Sequence, residues 1–91
     1  LGVEESDMDA NGHVNHVRYL DWAVDTLSEN WLEGHWLKGF DGEYLEECRA
    51  GETLETLAGP AENAGGEFAC LHRINRPADG AEVFRLKTTW A

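Results

Sequence analysis

Residues 7–13 place acids, an amide and an imidazole close together, directly before a stretch with helical spacing. Asp9, Asn11 and His13 alternate along this stretch, so their side chains point the same way if the loop is extended. A helix beginning near Val14 would present free backbone N–H groups and its positive dipole end beside them. That combination favours a developing oxyanion, which is what acyl transfer requires.

Acyl transfer also needs a nucleophile or an activated water, and residues 46–48 offer candidates. Glu47 shares a face of a predicted strand with Leu45, and partial desolvation there would suit a general base. Cys48 lies on the other face and would act as a thiolate nucleophile if His13 reached it.

The same residues also have a purely structural interpretation. Aspartate and asparagine are typical of turns and helix caps, and His13 is then an ordinary loop histidine. Glu46 and Glu47 taken alone are typical of solvated strand positions. Taken without any further motif, the residues favour this structural interpretation, and the chemical one remains open.

Composition limits the other classes of function. The 91 residues suit one small domain, and 42% of them are hydrophobic, which is enough to form a core. The 18 acidic residues against 7 basic ones give a net charge of −11, which disfavours nucleic acid and anionic membranes as partners. No apolar run approaches the roughly 20 residues of a membrane span. We expect a cytoplasmic location by default.

The sequence predicts no metal site and no cofactor. The four histidines are scattered, and neither an HExxH nor a CxxC spacing occurs. Two cysteines, Cys48 and Cys70, do not form a disulfide framework. Their flanks resemble strands, so we expect both to be buried as small apolar side chains.

The elements that would position the chemistry are one helix and four strands. Apolar residues at helical spacing predict an amphipathic helix of about four turns over residues 14–31, with Asn11 or Asn15 as its cap. Residues 33–42 are glycine-rich and predict a connection. Strands are then predicted over residues 44–50, 53–58, 68–74 and 83–90, with turns at 63–66 and 77–80.

This order predicts an α+β fold in which an antiparallel sheet wraps around one helix. A sheet of this size has open edges that a second copy or a tandem domain would cover. We therefore expect a homodimer or a tandem partner.

Two motifs resemble one enzyme family. Residues 9–22 are similar to the D-x-N-x-H-V-N-N-x-x-Y signature of acyl-acyl-carrier-protein thioesterases of plants and bacteria. The residues that carry the likeness are Asp-Ala-Asn-Gly-His-Val-Asn at 9–15, followed by Val17-Arg18-Tyr19-Leu20 and Trp22. Residues 44–48 match the family's second pattern, Y-x-x-E-C. The first motif alone overlaps the looser pattern of hotdog acyl-CoA thioesterases, whereas the two together, at this separation, indicate the acyl-ACP family over essentially the whole chain.

The resemblance implies a hotdog fold and hydrolysis of fatty acyl-ACP, which ends fatty-acid elongation. It implies that residues 1–91 form one hotdog domain, either the second, catalytic half of a double-hotdog enzyme or one subunit of a dimer. The catalytic set carried over by position comprises Asp9, Asn11, His13, Glu47 and Cys48. Substrate-binding positions carried over are Val14, Asn15, His16 and Tyr19.

The family mechanism has been described in two ways, as a Cys-His-Asn arrangement or as a carboxylate-activated water, and we favour the second. In it, Glu47 activates the water, Asn11 and His13 orient the water and the carbonyl, and Asp9 holds the loop. The amides near Val14 and Asn15 receive the oxyanion.

One position departs from the pattern, since His16 replaces the second asparagine of the N-N pair. Other functions stay open beside the acyl-ACP thioesterase. The nearest is an acyl-CoA thioesterase of the same fold. A different class is a non-catalytic hotdog module that binds acyl chains or mediates assembly. A hotdog dehydratase is disfavoured because its acid–base pair needs another spacing around the helix.

Overall fold

A computed structural model describes residues 1–61 and 67–91 of the protein. Within these residues a short 3-10 helix at Glu5–Asp7 precedes two α-helices and four β-strands. The helices are α1 (His16–Val24) and α2 (Glu29–Glu33). The strands are β1 (Leu37–Tyr44), β2 (Glu55–Ala61), β3 (Phe68–Arg76) and β4 (Ala81–Trp90).

The four strands form one antiparallel sheet in the order β1-β4-β3-β2, and α1 packs across β2, β3 and β4. Phe84, Leu86, Thr88 and Trp90 of β4 are buried on the helix side, while Arg85 and Lys87 face outward. This alternation is the one that the sequence predicts. The α+β prediction is confirmed.

The predicted single helix is wrong, because two side chains divide it. Thr26 donates its hydroxyl to the carbonyl of Ala23 at 2.7 Å and closes α1. Ser28 then accepts the N–H of Trp31 at 3.2 Å and caps α2. The apolar stripe that the sequence predicts on this helix is only partly confirmed, since Trp22 and Ala23 are buried as expected whereas Val17 is 61% exposed. The residues of α1 that enter the core are Tyr19, Trp22 and Ala23.

The position that the sequence predicts for the first strand is also wrong. Residues 33–42 were expected to form a connection, yet β1 occupies Leu37–Tyr44 and pairs with β4. Of the predicted strand 44–50, only Tyr44 belongs to a strand, as the last residue of β1. A loop follows, and it begins where the Leu45 and Glu46 amides both donate to the carbonyl of Val83. The glycine-rich β1 lies at the sheet edge and buries little side-chain area, so no apolar alternation marked it in the sequence.

The other predicted elements are close to those observed. Strand β2 extends through Pro60, and it ends the sheet order among the described residues, a position where proline is tolerated. Residues 1–6 make one antiparallel bridge, between Gly2 and Thr53, before the 3-10 helix. The predicted turn at 63–66 lies outside the described residues. Within the described part of the chain, neither helix has the length and apolar composition needed to cross a membrane.

Candidate active site

Two loops that are distant in sequence meet at one end of α1. The first loop precedes α1 and carries His13, and the second follows β1 and carries Glu47. The Nδ1 atom of His13 lies 3.7 Å from Oε1 of Glu47. The side chains of His13 and Glu47 are 50% and 68% exposed, so both are open to water and to a ligand.

Asp9 organises the first loop through its carboxylate. Its Oδ1 accepts the backbone N–H groups of Asn11 at 2.9 Å and His13 at 3.0 Å. The amide of His13, followed by that of Asn11, holds the pKa of Asp9 below its ordinary value. Gly12, between the two donors, has a φ of +78°, so the loop is a tight turn and not the extended segment expected from the sequence.

The start of α1 is capped by Asn15, as predicted, with its side chain accepting the N–H of Val17 at 3.0 Å. The Asn15 backbone N–H donates to the carbonyl of Asp7 at 2.8 Å. The expectation that this amide receives an oxyanion is therefore wrong in this structure. Val14 is fully buried, so its side chain belongs to the core. The backbone carbonyl of Val14 accepts the hydroxyl of Tyr44 at 3.2 Å. His16, the first residue of α1, has an N–H without a partner inside the helix.

An ion pair fixes the base of the first loop. Arg18 donates Nε–H to Oδ1 of Asp7 at 2.7 Å, and Oδ2 of Asp7 accepts the Glu4 N–H at 2.8 Å. The side chain of Asp7 is 7% exposed. Because the carbonyl of Asp7 also accepts the Asn15 amide, this buried acid joins the loop to α1. Arg18 lies within the first motif and Asp7 just before it, but the motif assigns neither of them this role.

The second loop exposes Glu47 and buries its neighbour. Glu47 lies on the loop and not on a strand, and its high exposure corrects the expectation of a partly desolvated carboxylate. Cys48 is 2% exposed, lies in the core cluster and packs beside Tyr19. Burial raises the pKa of its thiol, which disfavours the reactive thiolate. The other cysteine, Cys70, is half-buried on β3.

Two of the expected substrate-binding positions differ strongly in exposure. Tyr19 is fully buried and stacks on Phe84 with a centroid distance of 4.4 Å, so its expected contact with substrate is wrong. His16 is exposed, and its ring lies 5.0 Å from that of Tyr44. Together with Leu20 it borders a cavity of about 190 Å³ against β1 and β4.

The arrangement supplies an exposed carboxylate, an exposed imidazole and an open helix N-terminus, which suit activation of a water and stabilisation of an oxyanion. Among the described residues, no group of three or more metal-ligating side chains converges. Asn11 is exposed, and its backbone N–H is the group bound to Asp9.

Comparison with known proteins extends this picture. The family model described as the acyl-ACP thioesterase C-terminal domain matches residues 1–91. The chain belongs to this family. A palmitoyl-acyl carrier protein thioesterase of Gossypium hirsutum, with a chloroplastic location in its name, is 40% identical over an alignment of 91 positions, which covers 93% of this chain and 22% of that protein. The chain thus spans about a fifth of the length of the curated relatives it matches.

Solved structures of thioesterases have the same fold. The 12:0-ACP thioesterase from Umbellularia californica superposes with a TM-score of 0.84 at 29% identity, covering 100% of this chain and 33% of that one. A putative oleoyl thioesterase from Lactobacillus plantarum gives a TM-score of 0.88 at 30% identity, covering 99% and 35%. The predicted hotdog fold is confirmed, and the match is to the C-terminal domain, as the two motifs indicated.

Proposed function

We propose that this chain is the catalytic half of a thioesterase that hydrolyses fatty acyl-ACP to free fatty acid and carrier thiol. The observation that carries the proposal is the 3.7 Å approach of His13 to Glu47 at the N-terminal end of α1. The names of the relatives support the substrate class, since those proteins are thioesterases of acyl carrier protein.

In the proposed reaction, Glu47 is the general base. Its carboxylate takes a proton from a water as the water oxygen bonds to the thioester carbonyl carbon. The carbonyl π electrons move onto oxygen and form a tetrahedral oxyanion. The oxyanion electrons then re-form the carbonyl as the C–S bond breaks, and the departing thiolate takes up the proton held by Glu47. The products are one carboxylic acid and one thiol, so atoms and charge balance.

The remaining site residues orient these groups. His13 and Asn11 position the water and the carbonyl, and Asp9 keeps both on one tight turn through its two amide hydrogen bonds. We place the oxyanion at the His16 N–H, because the Asn15 amide is already bound to Asp7. The helix dipole adds to this stabilisation.

A cysteine nucleophile is the less favoured mechanism. A thiolate attack by Cys48 needs access to substrate and a depressed thiol pKa. Cys48 is instead buried in the core beside Tyr19, and burial raises its pKa. Its proposed role is to anchor the loop that presents Glu47.

The test uses the full-length protein with acyl-ACP and acyl-CoA of equal chain length, assayed side by side. We expect hydrolysis of acyl-ACP, loss of turnover in Glu47→Gln, and near wild-type turnover in the exposed neighbour control Glu46→Gln. Preference for acyl-CoA would support coenzyme A as the carrier. A domain of net charge −11 repels this small anion less than it repels acyl carrier protein, which is itself an acidic protein. Acyl binding without hydrolysis of either thioester would instead indicate a non-catalytic module.

We further propose that a second hotdog unit, in tandem or as a second copy, covers the outer edge of β1. This strand ends the sheet order among the described residues, so its outer backbone groups are free to pair. The side chain of Phe40 on β1 is exposed at the same edge. Sedimentation of the full-length protein tests the oligomeric state. The cytoplasmic location stays a prediction.

A further inference from the structure

Arg76, at the end of β3, joins three separate acceptors although it is only 16% exposed. Its Nη1–H donates to the backbone carbonyl of Glu47 at 2.7 Å and to Oε2 of Glu52 at 3.0 Å. Its Nε–H and Nη2–H donate to the carboxylate of Asp79 at 3.0 and 2.7 Å. The guanidinium thus ties the β3–β4 turn to the loop that presents Glu47.

Glu47 depends on its backbone for its position. Its carboxylate is largely in solvent and meets His13 at 3.7 Å, which is longer than a hydrogen bond. Packing around the side chain therefore does not hold it. A bond to its carbonyl fixes the peptide plane that follows Glu47, and with it the direction in which the side chain leaves the loop. On the other side of this peptide, Cys48 is anchored in the core.

Glu52 links the guanidinium of Arg76 to the same loop a second time. Its Oε2 accepts from Arg76, and its Oε1 accepts the backbone N–H of Arg49 at 3.1 Å. The loop is thus bound at the carbonyl of Glu47 and at the amide two residues later. Asp79 in turn orients the guanidinium by a paired contact, and Arg76 lowers the pKa of that carboxyl.

We infer that Arg76 is a positioning residue, which places Glu47 opposite His13. The inference rests on the proposed role of Glu47 as the base. A planar fork with five donors can serve three acceptors in different directions, whereas the single ammonium nitrogen of a lysine cannot reproduce this geometry. Both Arg76→Gln and Arg76→Lys should therefore misplace the base, and neither removes a group that contacts substrate.

The experiment measures steady-state kinetics of acyl-ACP hydrolysis by the full-length protein. We expect Arg76→Gln to lower kcat by about 10- to 100-fold, because small displacements of a catalytic group cost this much, with KM changed less than about twofold. Asp79→Asn, which loosens the guanidinium without touching the loop, should lower kcat to a smaller extent. Arg73→Gln is the matched control, because Arg73 lies on the same strand, is exposed and pairs with Glu82.

A double mutant separates positioning from general stability. Removal of the base leaves a low residual kcat from oxyanion stabilisation and substrate binding, and if Arg76 acts through Glu47, Arg76→Gln should not lower this residual kcat of Glu47→Gln further. An equal fold-loss in both backgrounds, or unchanged kcat in both Arg76→Gln and Asp79→Asn, overturns the inference while leaving the proposed base intact. Wild-type turnover by Glu47→Gln would overturn the base and the inference together. If Arg76→Gln does not fold, Arg76→Lys and Asp79→Asn carry the same comparison.

Discussion

The imidazole of His13 and the carboxylate of Glu47 face each other at 3.7 Å across two loops, each held by its own arginine. Arg18 fixes the His13 loop through Asp7, and Arg76 fixes the Glu47 loop through its backbone. The reactive groups themselves stay exposed. Their geometry therefore depends on polar contacts of the supporting residues, since a functional group in solvent is not held by packing.

Cys48→Ala separates the two mechanisms. We expect it to retain most of the turnover, because the thiol is buried and is not the nucleophile. Loss of its packing should lower the free energy of unfolding by about 1–2 kcal/mol. Parallel kinetic and urea-unfolding measurements check both values. Turnover abolished in a folded Cys48→Ala protein, together with an active Glu47→Gln protein, would instead identify the cysteine as nucleophile.

Asp7→Asn tests the support under the first loop, with Asp21→Asn as its matched control. Asp7 is nearly buried and accepts two hydrogen bonds, one of them from Arg18. Asp21 contacts the same arginine at 3.2 Å but its side chain is 50% exposed. We expect the free energy of unfolding to fall by about 2 kcal/mol in Asp7→Asn and by less than about 0.5 kcal/mol in Asp21→Asn. Equal losses in chemical unfolding would show that burial of Asp7 has no special effect.

Gly12→Ala tests the turn that presents His13. Gly12 has a φ of +78°, and an added Cβ would meet no atom within 4 Å, so any effect is conformational. We expect a loss of about 1 kcal/mol in stability, because alanine is strained in this region. Turnover should fall as well, since the turn then relaxes away from Glu47.

Gly39→Ala is the control for that experiment, because Gly39 also has open space around its Cβ position but no positive φ. Thermal unfolding and kcat should change little in this variant. Similar effects of the two substitutions would contradict the role of the Gly12 backbone conformation.

The sequence predicted the elements whose side chains alternate between core and solvent. Strand β4 has this alternation, and its predicted and observed faces agree from Phe84 to Trp90, whereas Val83, which was predicted on the outer face, is buried in the core. Strand β1 has none, because an edge strand with two glycines buries few side chains and leaves no periodic signal. The division between α1 and α2 was missed because Thr26 and Ser28 act through local hydrogen bonds and not through apolar spacing.

For the site, the motif residues identified Asp9, His13 and Glu47 but not what surrounds them. The contact between His13 and Glu47 depends on how β1 and the loop after it return to α1, which no local pattern contains. The predicted desolvation of Glu47 is wrong because the sequence predicts a strand where the structure has a loop. Arg76 lies in neither of the two motifs. Its contact with the Glu47 loop arises only because the fold brings the end of β3 to that loop.

His72 makes stability depend on pH. Its side chain is buried on β3, its Nε2 lies 2.9 Å from Oγ1 of Thr88, and that oxygen also accepts the indole N–H of Trp90 at 2.7 Å. Burial lowers the pKa of His72 from its ordinary value of 6.5, so the unfolded chain binds this proton at higher pH than the folded one does. Neutral His72 contributes fully to the free energy of unfolding above pH 6.5. This contribution is lost as the pH falls from 6.5 towards the lower pKa of the folded state, at up to about 1.4 kcal/mol per pH unit. Free energies of unfolding between pH 8 and 5 for wild type and His72→Gln should therefore converge as the pH falls, since glutamine does not titrate. Curves that run parallel over this range would show that His72 does not contribute.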